Sequence, residues 1–183
     1  GWAWKGDDKA GRVVLTGSHP EGYTNGERLD LMSALILYAL DGCGKPAIKD
    51  NLQNGVPREM TKSTTDNDPD YTMIGDKQYH HFTAKIPVNA KNIKVKLKGA
   101  DKYYFNLYIK KDAPAFKECA DYLDLSLSSQ KEIKVDHLSA GVWYIGVECT
   151  STVEVINSKW GELYTGDLSV LNGVPYSITI SWE

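Results

Sequence analysis

Nothing in the chain is long and apolar enough for a bilayer. The longest nearly apolar run, residues 29–40, has 12 residues and is interrupted by Asp30 and Ser33, whereas a helical span needs about 20. Neither sign of charge prevails. The 183 residues carry 21 Lys and Arg against 24 Asp and Glu, a net −3, split 7 to 8 over residues 1–60 and 14 to 16 beyond. With no basic half, nucleic-acid binding through phosphate neutralisation is disfavoured. Cysteine is scarce: Cys43, Cys119 and Cys149 stand alone, without a C-x-x-C zinc spacing. A Gly-rich phosphate loop, an internal repeat and a low-complexity tract are also missing. The opening Gly1-Trp2-Ala3-Trp4-Lys5 has neither the basic nor the apolar region of a signal peptide. In a chain that starts with Gly, that is silent about compartment.

Aromatic residues are plentiful but one-sided, with 11 Tyr and 5 Trp against 3 Phe. Rings with a polar handle suit sheet surfaces and wet binding faces. At 42% hydrophobic and 25% charged, the composition is that of an ordinary globular chain. Its length suits one domain, or one domain and a fragment.

Two textures meet near residue 60. Gly11-Arg12-Val13-Val14-Leu15-Thr16-Gly17 is a short apolar run between glycines, the pattern of a buried strand. Thr24-Asn25-Gly26-Glu27 fits a capping box, Thr24 as N-cap and Glu27 returning the hydrogen bond. The helix it opens runs over 27–40 and ends at Asp41-Gly42, where glycine tolerates the left-handed cap. Leu31, Leu35 and Tyr38 belong to an apolar surface that nearly encircles this helix, so it is expected to pack on the second half of the chain or in a homodimer through the N-terminal segment. Residues 61–78 are polar and contain proline, the texture of a linker.

From residue 79 the period becomes two. Ile93, Val95 and Leu97 alternate with Lys94, Lys96 and Lys98; Phe105, Leu107 and Ile109 with Tyr104, Asn106 and Tyr108; Tyr176, Ile178, Ile180 and Trp182 with Ser177, Thr179 and Ser181. Further strands are expected at 79–86, 131–136, 142–149 and 152–156. The predicted fold is mainly β, an antiparallel jelly-roll-like β-sandwich with one wet face per sheet, preceded by a short strand–helix α/β segment.

Residues 70–183 resemble the bacterial pre-peptidase C-terminal domain. Gly75-Asp76-Lys77-Gln78-Tyr79-His80-His81-Phe82, Ile86-Pro87-Val88, Ile93 to Gly99, Asn106-Leu107-Tyr108-Ile109 and Ser139 to Val147 carry the likeness, Asn106 standing where that family usually has Asp. The resemblance implies a sandwich appended to a secreted peptidase, hence a secreted, periplasmic or cell-surface setting and a non-catalytic accessory role. That role is contact with a macromolecular substrate or an envelope partner, or help in secreting an attached hydrolase. Residues 1–50 are similar to the end of class I glutamine amidotransferase-like domains, through the strand, His19-Pro20-Glu21 and the capped helix. There His19 would be the base and Glu21 its orienter in a Cys-His-Glu triad. The nucleophile elbow is not in this sequence, and Cys43 follows the helix instead, so the chain as given is expected not to be an enzyme. The alternatives are a fragment of a Cys-His-Glu amidohydrolase and a carbohydrate-binding module.

The domain layout read this way is 1–60, linker 61–78 and sandwich 79–183. Candidate sites follow. Asp66, Asn67, Asp68, Asp70 and Asp76 cluster oxygens as a Ca²⁺ site would, and collagenase-type members of the resembled family place calcium at this junction. Tyr104, Asn106 and Tyr108 form a contact strip for a protein or glycan surface if their face is exposed. Cys119 and Cys149 are placed to bridge in an oxidising compartment, which would be worth about 3 kcal/mol. His80 is expected in the core, His81 exposed, and His137 at a strand end.

Overall fold

The computed structural model describes residues 2–5, 12–15, 34–36, 39, 46–62 and 72–183. The chain divides into two compact units, Gly1–Ala47 and Ile48–Glu183. In the first, β1 (Trp2–Lys5) pairs antiparallel with β2 (Arg12–Leu15), where the glycine-bounded strand is expected. Residues 34–36 and 39 are helical, as the 27–40 reading requires. His19, Glu21, Leu31, Tyr38 and Cys43 lie outside the described residues, as does most of the helix.

The second unit is a β-sandwich. One sheet has the order β3 (Ile48–Asn51), β5 (Tyr79–Ile86), β10 (Gly141–Cys149), β7 (Phe105–Lys111), β8 (Tyr122–Asp124); the other runs β4 (Arg58–Met60), β13 (Tyr176–Ser181), β6 (Lys91–Gly99), β9 (Gln130–His137). Pairing is antiparallel throughout both sheets except for β3 on β5. From β4 to β7 the chain changes sheet at each strand, which gives the jelly-roll-like path. The expected boundary at residue 60 moves to 48, because β3 and β4 are edge strands of the sandwich. At four and three residues they are too short to show a period of two.

The alternation is realised as packing. Ile93, Val95 and Leu97 of β6 face Phe105, Leu107 and Ile109 of β7 within one core, joined by Phe82, Ile145, Tyr176 and Ile178. Burying a side chain of this size contributes about 1.5–3 kcal/mol. One wet face per sheet is correct only for the four-stranded sheet. The outer face of the five-stranded sheet is covered over β5, β10 and β7 by residues 112–121, which put Ala115 over Gly146 and Phe116 against the rings of Tyr79 and His81.

Two further strands, β11 (Val153–Ser158) and β12 (Gly161–Gly166), pair only with each other and form a separate two-stranded ribbon. A 3₁₀ helix, Leu168–Asn172, leads from it into β13.

Candidate interaction surfaces

The expected strip Tyr104, Asn106, Tyr108 does not form a continuous exposed face. Tyr104 is 45% exposed, Asn106 is half-buried and Tyr108 is fully buried. The register explains this. Tyr108 lies beside Gly146, beneath the 112–121 segment. Its hydroxyl donates to the Glu148 carboxylate, which also accepts from Asn106 Nδ2 at 2.8 Å. The Tyr79 ring stacks on Tyr108 with centroids 6.3 Å apart. Burial, then the hydrogen bond to Glu148 and its charge, push both phenols above their ordinary range. For Glu148, burial pulls the carboxyl pKa up, but the Tyr108, Asn106 and Tyr79 hydrogen bonds outweigh it and hold the group below the usual value. Two of the three residues therefore serve a half-buried polar network, and Tyr104 is the one free to meet a partner.

The histidines divide. His80 is buried as expected, its Nδ1 2.7 Å from the Tyr176 hydroxyl. His81, expected at the surface, is buried too, because residues 112–121 close over it; its Nε2–H donates to the Ala115 carbonyl at 3.0 Å. Nδ1 of His81 has no partner among the described residues. His137 ends β9 and is exposed.

No disulfide joins Cys119 and Cys149, both of which are free thiols. They lie on opposite sides of one sheet. Cys149 points into the core, its Sγ donating to Ser151 O at 3.5 Å, while Cys119 is exposed on the segment covering the outer face. Burial pushes the Cys149 thiol up to about 12. We expect iodoacetamide to modify Cys119 in the native chain and to leave Cys149 untouched until unfolding. Mass spectrometry of the alkylated protein checks this, and equal labelling of both would refute it.

Of the calcium set, Asp66, Asn67, Asp68 and Asp70 lie outside the described residues. Asp76 is half-buried, and its Oδ1 has no hydrogen-bond partner among the described residues. Those residues contain no group of three His, Cys, Asp or Glu placed to hold a metal. Nor do they contain a helix long and apolar enough to cross a membrane.

The feature missed by the sequence reading is the β11–β12 ribbon. Its register puts Val155 beside Tyr164 on one face and Ile156 beside Leu163 on the other, all exposed. Trp160, 86% exposed, stands in the turn with Lys159 Nζ 5.1 Å from its ring centre. Leu168 and Leu171 of the following 3₁₀ helix extend the exposed apolar surface. The signal was present as apolar residues on both parities of 153–164, which a one-sided strand does not show.

No family model matches the chain, and no curated protein matches it. Among solved structures it is similar to the pre-peptidase C-terminal domain of a collagenase from Bacillus anthracis, with a TM-score of 0.45 and 10% identity over 75% of this chain and 99% of that one. The amidotransferase resemblance of residues 1–50 finds no support in these comparisons. What the sheets and surfaces define is a jelly-roll-like β-sandwich carrying an exposed apolar ribbon.

Proposed function

We propose that the chain is an accessory binding domain that holds a macromolecular partner, a protein or glycan surface, through the β11–β12 ribbon. The ribbon carries this reading. Apolar side chains exposed together on one element mark a contact site. An isolated two-stranded hairpin is only marginally stable in water, so a partner covering Val155, Tyr164, Ile156 and Leu163 would also order it. Trp is the side chain most often found to dominate a binding interface.

The test is co-sedimentation with insoluble protein fibres and polysaccharides. The chain is expected to be retained by one of them, and Trp160→Ala to weaken retention about thirty-fold, the loss typical of an interfacial hot spot. Its melting temperature should stay unchanged, because the indole makes little contact with the sandwich. Retention of Trp160→Ala equal to that of the parent chain, or retention by none of the polymers, would overturn the reading.

A further inference from the structure

A second surface lies on the sandwich itself, away from the ribbon residues. The exposed face of the four-stranded sheet is built in rows. Ser177 of β13 lies between Glu59 of β4 and Lys98 of β6; Thr179 is beside Lys96, and Ser181 beside Lys94. The three hydroxyl residues are half-buried and the three lysines exposed. A floor of short side chains along β13 is thus walled on one side by a lysine ridge. At its Gly99 end a cleft of about 370 Å³ opens between Glu59, Thr61, Lys98, Pro175 and Ser177.

The charges on this face are unevenly committed. Lys96 and Lys134 share Glu132, at 3.3 and 2.6 Å. Lys94 and Lys98 pair with no carboxylate among the described residues. Lys131, by contrast, points inward, where the Ser126 carbonyl and hydroxyl hold its ammonium with Asp124 at 3.5 Å. In a chain of net charge −3, a strand presenting Lys94, Lys96 and Lys98 on one side is a local reversal of sign.

We propose that this face binds an extended acidic segment of another protein, with carboxylates at alternate positions. Residues two apart on a strand recur about every 6.7 Å. An extended peptide has the same repeat, so three alternate Asp or Glu side chains meet Lys94, Lys96 and Lys98 one to one. Hydroxyls of Ser177, Thr179 and Ser181 lie below to donate hydrogen bonds to those carboxylates. The outward side chains of the floor, Ser177, Thr179 and Ser181, include no aromatic ring on which a base or a sugar would stack, and Tyr176, which also lines the cleft, is buried in the core.

The probe is poly-L-glutamate, measured by fluorescence anisotropy with the full chain. The parent chain is expected to bind at low salt and to lose affinity as salt rises, since exposed charges are screened. The double variant Lys94→Glu, Lys98→Glu should bind about tenfold more weakly, two exposed pairs having been turned into repulsions. Glu132→Gln releases Lys96 and Lys134 and should bind more tightly than the parent chain, a gain that misfolding does not mimic. Trp160→Ala should bind poly-L-glutamate as the parent does, so this result and the ribbon's stand or fall separately. Absence of binding, equal binding by the double variant, weaker binding by Glu132→Gln, or tighter binding to polygalacturonate or DNA than to poly-L-glutamate would each overturn the proposal.

Discussion

Replacing Gly146 by alanine is expected to lower the melting temperature by about 5–10 °C, the equivalent of about 2–3 kcal/mol in a domain of this size. A β-carbon there would lie 2.3 Å from the Ala115 carbonyl oxygen, a backbone atom that no side-chain rotation moves aside. Without that contact the sign would be the opposite. Gly146 does not have a positive φ, and at such positions alanine stabilises by restricting the unfolded chain. The loss should be local first. Residues 112–121 must lift, freeing the His81–Ala115 hydrogen bond and the Phe116 contacts with Tyr79 and His81. Hydrogen exchange should therefore speed up in 113–119 well before it does in β6 or β13. At Gly99 a β-carbon would meet the buried Phe105 ring at 2.1 Å, so Gly99→Ala should loosen the core instead. An unchanged melting temperature for Gly146→Ala, with unchanged exchange in 113–119, would contradict the account.

Lowering the pH from 8 to 5 should cost about 2 kcal/mol of stability through His80 alone. Its surroundings set the sign. Burial, then the charges of Lys49 and His81, lower the His80 pKa to about 3. Below the ordinary 6.5 the unfolded chain takes up a proton that the folded chain refuses, so stability falls as pH drops from 6.5 towards 3. His81 adds to the slope in the same sense, burial lowering its pKa against the raising effect of the Ala115 hydrogen bond. Glu148 and Asp124 act in a lower window. Both are held below their ordinary carboxyl values in the fold, and their stabilisation is lost only as pH falls below about 4.5. The pH range 5–6.5 therefore isolates the histidines. Urea unfolding across it should show a slope that shrinks by about one proton in His80→Asn, with the exposed His137→Asn as control. A flat parent profile, or an unaltered slope in His80→Asn, would show that His80 is not buried in neutral form.

The sandwich was largely legible where strands are long and half-buried. On β6, β7 and β13 the inward residues recur at strict period two, and each strand lies where the alternation puts it. His80 was readable for the same reason: it shares parity with Phe82, Ala84 and Ile86. Local pattern settles which side chains share a face, because backbone geometry imposes that parity whatever the partner strand is. The glycine-bounded strand at 12–15 was legible on the same local grounds.

What covers a face is a different matter, decided by contacts between residues far apart in sequence. Tyr108 and Tyr104 have the same parity, yet one is buried and the other exposed, because 112–121 folds back over Gly146 and stops short of Tyr104. The burial of His81 and the separation of Cys119 from Cys149 follow from that one segment. A strand forms where 152–156 predicts one, but it leaves both sheets for a ribbon with β12, since pairing is chosen among all available edges. Sequence determined the period, the parity and most strand positions, which depend on neighbours two residues away. Tertiary structure alone decided which faces are dry, which thiols and histidines are reachable, and which apolar side chains are left in water. Each of these depends on where a distant segment comes to rest.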